Sequence, residues 1–326
     1  MPQEIIIAGL GTAGSVHAKA LEEFDQVTVI AGIDTDRSRS LTFRERQVKV
    51  YPGVFDATSD NLDPNIVIIA TPTPTHAQVC DDVAEYFPKA IILLEKPAAD
   101  NLDDAQRIIE GIGSKQAVNI AYHMAFSPEV SWALELARKR TDHLGRPIAI
   151  ESWHTDPYQL ERASAEATLG TSWIDSGINA LSVIERFAKI TERTSLRQIG
   201  EAHKSEFEGT FICGPRDENL TAIVLTSWHS TAPARTTRIR YSSGAELVMD
   251  HAAVAGYLLE GGTLTAKFGS DGRIPRREAH YKAMYESWLV DDKQAFPKDT
   301  SLRLHILLLE QPRVRTAVEA KAYGLA

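Results

Sequence analysis

The segment Glu4-Ile5-Ile6-Ile7-Ala8-Gly9-Leu10-Gly11-Thr12-Ala13-Gly14 constrains the fold more than any other stretch. An aliphatic run that breaks into G-x-G-x-x-G and then into a helical pattern over residues 15–24 is a strand, a tight turn and a helix in succession. Glycine is needed there so that the chain turns sharply, a pyrophosphate approaches the backbone, and helix packs closely on strand. Alone the pattern is weak, because a glycine-rich turn also serves α/β proteins that bind no nucleotide. The context supplies the rest: a second strand over residues 27–33 ends at Asp34, where a dinucleotide fold wants an acid for the adenine ribose.

The alternation continues. Residues 65–70 predict a buried strand that opens into Thr71-Pro72-Thr73-Pro74-Thr75-His76, with a helix over residues 76–86. Two prolines fix a rigid turn whose hydroxyls and backbone can line a ligand. Ile91-Ile92-Leu93-Leu94 then stops abruptly at Glu95-Lys96-Pro97. Parallel sheets bind ligands outside the carboxyl ends of their strands, which makes Lys96 a functional candidate and not merely a solvated lysine. A helix over residues 102–112 and a strand over residues 117–121 complete a doubly wound parallel sheet in residues 1–121.

The chain has 326 residues, a soluble-protein profile of 43% hydrophobic and 24% charged residues, and a formal net charge of -9. Two domains fit that length. The acidic balance disfavours a nucleic-acid backbone or an anionic membrane as partner. Cys80 and Cys213 are too few for a disulfide framework and match no metal spacing, so buried thiols and no metal are expected. With no signal-peptide or membrane-span pattern, a cytoplasmic protein is expected.

The cofactor choice stays open between NAD and NADP. A carboxylate at Asp34 accepts from ribose hydroxyls and repels a 2′-phosphate, which favours NAD. Arg37, Arg39, Arg44 and Arg46 form a basic patch from which one arginine, Arg39 above all, could hold that phosphate, although a solvated helix face explains the patch as well.

After residue 121 the pattern changes, placing a boundary near residues 122–126. Residues 147–153, 221–228, 236–241 and 245–249 alternate as strands without intervening helices, which predicts a largely antiparallel sheet. Helices are expected over residues 128–140, 172–188, 277–291 and 301–320, the last ones able to pack back on the first domain. In Gly170-Thr171-Ser172-Trp173-Ile174-Asp175-Ser176-Gly177-Ile178-Asn179, the helix period sets Asp175 and Asn179 on one face. His123, Trp153, His154, Trp173 and Trp228 are pocket candidates, since aromatic faces pack on sugar C–H surfaces and histidines reach hydroxyls. Each tryptophan taken singly fits a core equally well. His143, His203, His251, His280 and His305 read as structural.

Gly9 to Gly14, Thr71 to His76 and Glu95-Lys96-Pro97 together resemble the Gfo/Idh/MocA oxidoreductases across essentially the whole chain. The resemblance implies a Rossmann domain, residues 1–121, and a C-terminal α/β domain, residues 122–326, with homodimers or homotetramers formed through the second sheet. It implies cofactor contacts at Gly9, Leu10, Gly11, Thr12, Ala13, Asp34, Arg39, Thr71, Pro72, Thr73, His76, Glu95 and Lys96. The family's Asp-x-x-x-His usually gives the base; here the histidine position holds Asn179, and an amide cannot take a proton. Asp-x-x-x-Asn resembles instead the branch of L-arabinose and D-galactose 1-dehydrogenases, whose anomeric hydroxyl is acidic enough for a weaker base. The expectation is an NAD(P)-dependent sugar dehydrogenase that oxidises an aldose at C1 to its lactone, with Lys96, Asp175 and Asn179 as the catalytic group. Oxidation of a ring hydroxyl, reduction of a keto-sugar, and a non-catalytic nucleotide sensor are the alternatives.

Overall fold

The computed structural model describes residues 2–36, 38–39, 43, 48–158, 161–199, 206–214, 220–269, 275–290 and 296–310. Two sheets organise them. The first is fully parallel, with β1 (Gln3–Ala8), β2 (Val27–Ile33), β3 (Lys49–Tyr51), β4 (Ile66–Ile69), β5 (Ile91–Glu95) and β6 (Val118–Ala121) in the order β3-β2-β1-β4-β5-β6. The order reverses between β1 and β4, so a crevice opens at their carboxyl ends. Helices Thr12–Leu21, Val54–Thr58 and His76–Tyr86 connect strands in this sheet. With helices on both faces, its central strands are apolar throughout: Ile5, Ile6, Ile7, Ile68 and Ile69 are fully buried.

The second sheet has eight strands: β7 (Pro147–Thr155), β8 (Ile190–Gln198), β9 (Glu206–Cys213), β10 (Leu220–Ser227), β11 (Ala234–Tyr241), β12 (Glu246–Asp250), β13 (Ala255–Glu260) and β14 (Thr263–Gly269). Their order is β14-β13-β12-β11-β7-β10-β9-β8, antiparallel except where β7 and β10 run parallel. Four of these strands, β8, β9, β13 and β14, go beyond the sequence pattern, and β8 and β14 are the edge strands. Their residues are mostly exposed or half-exposed, so they carry no apolar alternation to read.

Helices Pro128–Lys139 and Ile178–Phe187 cover the inner face of this sheet. Two later helices reach back to the parallel sheet. Arg276–Tyr285 lies along Thr12–Leu21, with Lys19 bonded to Glu278 at 2.8 Å and the His17 ring 2.6 Å from the Tyr285 hydroxyl. Lys298–Leu309 delivers His305, whose Nε2 accepts from the Ala98 N–H at 2.9 Å. The helix expected over residues 301–320 thus starts earlier, and residues 311–326 lie outside the described part. No described helix is long and apolar enough to cross a membrane.

Candidate active site

A cavity of about 420 Å³ opens above the crevice between β1 and β4, lined on one side by the parallel sheet's loops and on the other by the C-terminal elements. Its floor is the glycine turn. Gly9 has φ +89°, and a Cβ there would lie 2.5 Å from the Ala70 carbonyl; one on Gly14 would lie 1.9 Å from the Gly9 oxygen. Only glycine permits this approach of turn, helix and neighbouring strand. The helix Thr12–Leu21 starts at Gly11 without a side-chain cap, and Gly11, Thr12 and Ala13 line the cavity. First-turn N–H groups at such an end favour an anion. The residues present therefore fit a dinucleotide pyrophosphate.

Gly9, Leu10 and Asp34 are not in the lining and act from beneath it. Gly9 N–H donates to Ile33 O at 2.8 Å, and Asp34 Oδ2 accepts from the Leu10 N–H at 2.8 Å. Asp34 thus ties the end of β2 to the glycine turn. Arg39 stands at the mouth, 3.8 Å from Asp34; Arg37, Arg44, Arg46 and His203 lie outside the described residues. Thr71, Pro72 and Thr73 line the β4 side. His76 also touches the lining, but its ring is a brace between two loops, with Nε2 2.9 Å from Thr71 O and Nδ1 3.1 Å from Pro97 O. Burial pushes its pKa below the usual histidine value against those hydrogen bonds.

At the end of β5 two adjacent charges point into different surroundings. Glu95 is buried and bonded to His17 Nε2 at 2.9 Å, to the Tyr281 hydroxyl and to the Lys96 N–H at 3.1 Å. Burial alone would raise its carboxyl, but the His17 and Tyr281 hydrogen bonds and the His17 and Lys96 charges hold it below the usual range. Lys96 reaches across the cavity: its Nζ donates to Asp175 Oδ1 at 2.9 Å and to Asp175 O at 3.0 Å. Asp175 is buried, which raises its pKa, yet the charge and hydrogen bond of Lys96 with the charges of Arg235 and Arg277 bring it below its ordinary value.

Asp175 sits in the wide helical turn Trp173–Gly177, and Asn179 in the first turn of Ile178–Phe187. Both line the cavity that Lys96 lines. Asn179 Nδ2 donates to Asp175 O at 3.4 Å, while its Oδ1 is buried with no partner. His123 lines the same space with an unpartnered Nδ1, stacked on Tyr281 at 4.5 Å. Burial and the His280, Lys96, Arg235 and His17 charges drive its pKa well down.

Four expected pocket residues lie elsewhere. Trp153 and His154 are neighbours on β7 and so project to opposite faces of the sheet: Trp153 is 44% exposed, and His154 is fully buried beside Ser152 and His251. Trp173 stacks on Phe211 and donates Nε1–H to Leu308 O at 2.9 Å, inside the core. Trp228 is buried behind the cavity, edge-on to Tyr158, which does line it. Conversely, Tyr158, Arg235, Arg276, Arg277, His280 and Tyr281 line the cavity and were not anticipated. His280, expected to be structural, is among them. The one signal in the sequence was the paired arginine at 276–277 opening a helix; the rest depend on tertiary contacts.

Residues 4–123 match the oxidoreductase family GFO_IDH_MocA, NAD-binding Rossmann fold. Among curated proteins, the chain is 26% identical over 175 residues to inositol 2-dehydrogenase of Rubrobacter xylanophilus, covering 52% of this chain and 46% of that protein. It is 27% identical over 176 residues to the rhizopine catabolism protein MocA of Rhizobium meliloti, covering 53% of each. These matches span about half the length of the relatives. Among solved structures, a myo-inositol dehydrogenase from Corynebacterium glutamicum superposes with TM-score 0.76 at 18% identity, over 94% of this chain and 95% of that one; at that identity the likeness speaks for the fold.

Proposed function

With residues 4–123 carrying the NAD-binding Rossmann fold of the Gfo/Idh/MocA oxidoreductases as the premise, we propose that this protein is an NAD(P)-dependent sugar dehydrogenase. The sharper form of the proposal is oxidation of an aldose at C1, of D-galactose or L-arabinose type, to the lactone. One observation carries it: Lys96 and Asp175 form a 2.9 Å ion pair in a cavity that Asn179 also lines.

The N–H groups of Thr12 and Ala13 would hold the pyrophosphate, and Asp34 the adenine ribose, which favours NAD over NADP. When bound, the nicotinamide supplies the acceptor for the hydrogen that leaves the sugar carbon with its electron pair. Lys96 keeps an ammonium beside the sugar oxygen and stabilises the negative charge that grows there. Asp175 accepts the hydroxyl proton. Its carboxyl is held below the ordinary value by Lys96, so it stays ionised at neutral pH but is a weak base. That strength suits an anomeric hydroxyl better than an ordinary alcohol. Asn179 Oδ1 accepts a hydrogen bond from the sugar and orients it. Glu95 has its oxygens engaged with His17, Tyr281 and the Lys96 backbone and positions the lysine strand end.

The chain division at residues 121/122 and assembly into homodimers or homotetramers through the open face of the eight-stranded sheet are part of the same proposal. The exposed Trp153 on that face supports the assembly. Similarity to an inositol 2-dehydrogenase favours a second reading, oxidation of a ring hydroxyl. A panel of aldoses, polyols and keto-sugars with NAD and with NADP, followed at the nicotinamide absorbance band, separates the two. Aldoses should turn over and polyols such as inositol should not, and Asn179→Ala should lower kcat/KM on the aldose by about tenfold. Preference for polyols overturns the aldose reading.

A further inference from the structure

The cavity holds more positive charge than its own carboxylates balance. Lys96 is paired with Asp175, and Arg235 with Asp156, one cation to one anion in each case. Arg276 and Arg277, the first two residues of the helix Arg276–Tyr285, line the same cavity and pair with no carboxylate among the described residues. The Nη1 of Arg276 and the Nε of the buried Arg235 are both shut away from solvent without a hydrogen-bond partner. Glu95 does not answer them, because its bonds run to His17, Tyr281 and the Lys96 backbone. A buried guanidinium N–H with no acceptor costs free energy unless an acceptor arrives with a ligand.

The position of these charges separates them from the nucleotide's adenosine end, where Arg39 stands near Gly11 and Asp34. Arg277 lies within electrostatic reach of Asp175, Tyr158 and Tyr281, and Arg235 of Asp175 and His123. Arg277, exposed to solvent, and the Asp156-paired Arg235 therefore act on the Lys96–Asp175 pair, where the substrate would sit, and Arg276 precedes Arg277 on the same helix.

Building on the sugar-oxidising reading above, we propose that the substrate carries an oxyanion received by Arg276 and Arg277. The assignment is to a carboxylate, which makes the substrate a sugar acid of the uronate type in place of a neutral aldose. A planar carboxylate matches the guanidinium fork in two parallel hydrogen bonds, a recognition that lysine does not offer. A phosphate shares the chemistry and is the source to be distinguished.

The test uses the full-length protein with NAD and three matched sugars: D-galactose, D-galacturonate and D-galactose 6-phosphate. Binding is read by calorimetry and turnover by nicotinamide absorbance. Galacturonate should bind roughly ten- to a hundredfold more tightly than galactose, in line with a charge-assisted pair, and the advantage should shrink as salt is raised. Arg277→Ala and Arg276→Ala should each cut the galacturonate advantage by about tenfold while the NAD dissociation constant stays within about twofold. Equal or tighter binding of galactose overturns the proposal. So do arginine variants that weaken NAD as much as galacturonate, since the guanidinium groups would then serve the cofactor. Preference for the 6-phosphate keeps the oxyanion and overturns the carboxylate. Tight galacturonate binding with no turnover of any sugar tells against the dehydrogenase reading and leaves the anion site standing; galactose turnover with no preference does the reverse.

Discussion

On the parallel-sheet side of the cavity, the wall is backbone and small residues: Gly11, Thr12, Ala13, Thr71, Pro72 and Thr73 at the ends of two adjacent strands. On the opposite side it is charged and aromatic side chains, Asp175, Arg235, Arg277, His280 and Tyr281, drawn from three separated segments. The first wall offers a ligand shape and N–H groups, so its chemistry is written in short contiguous motifs. The second offers charge, and its members come from segments far apart in the chain. Lys96 is where they join, standing on the first wall and bonded to the second.

The sharpest way to break this comparison is at the joint. Lys96→Ala should lower kcat by about 10²–10³-fold, the scale of losing one preorganised charge-stabilising group, with NAD affinity nearly unchanged. A loss of NAD binding as large as the loss of turnover would put Lys96 on the cofactor wall alone. On that wall, Gly14→Ala should be felt as folding stability, because the added Cβ meets the Gly9 oxygen at 1.9 Å. Backbone cannot give way as a side chain tip does, and the cost should reach about 3 kcal/mol in a urea titration. A variant as stable as the wild type would mean that the turn has slack.

The same contrast explains what could be read from the amino acids. The parallel sheet, the glycine turn and Lys96 were legible because apolar runs ending in glycine, proline or charge have one good structural solution. Asp175 and Asn179 were legible because four residues is about one helical turn, and both line the Lys96 cavity. Trp153 and His154 could have been separated by the same kind of reasoning, since consecutive strand residues cannot share a face. Trp173 and Trp228 could not, because core and pocket make identical demands on a tryptophan until Phe211 or Tyr158 is known to pack against it. The arginines were legible only as a pair opening a helix at 276–277, because whether a guanidinium has a partner is a property of three dimensions.

His305 tests the seam between the walls by pH. Its Nε2 accepts from the Ala98 N–H and its Nδ1 lies 2.8 Å from Ser301 O, so the ring is held neutral with the proton on Nδ1. Burial lowers its pKa from 6.5 to about 4. The unfolded chain therefore binds the proton more readily, and stability is lost as pH falls from about 6.5 toward 4. At about 1.4 kcal/mol per pH unit that difference amounts to roughly 3 kcal/mol once complete. Urea titrations at pH 7 and 4.5 should show the decline, with a smaller one in His305→Gln. An equal slope in both proteins would remove His305 from the account.

The smallest expected effect lies on the face that neither wall uses. Trp153 projects away from the cavity with the Arg238 guanidinium 5.9 Å over its ring, while its neighbours in sequence, Ser152 and His154, point inward. Trp153 is exposed and does not line the cavity, so Trp153→Ala should change kcat/KM by less than about twofold, as surface substitutions do. If assembly proceeds through this face, the same variant should shift the sedimentation coefficient toward the monomer while the rate per chain holds. A tenfold fall in kcat/KM that follows the change in assembly would show that a second copy shapes the cavity, and the two-wall description would then need a third contributor. A fall of that size without any change in assembly would place the indole in the path of the substrate, against the strand alternation that puts it outside.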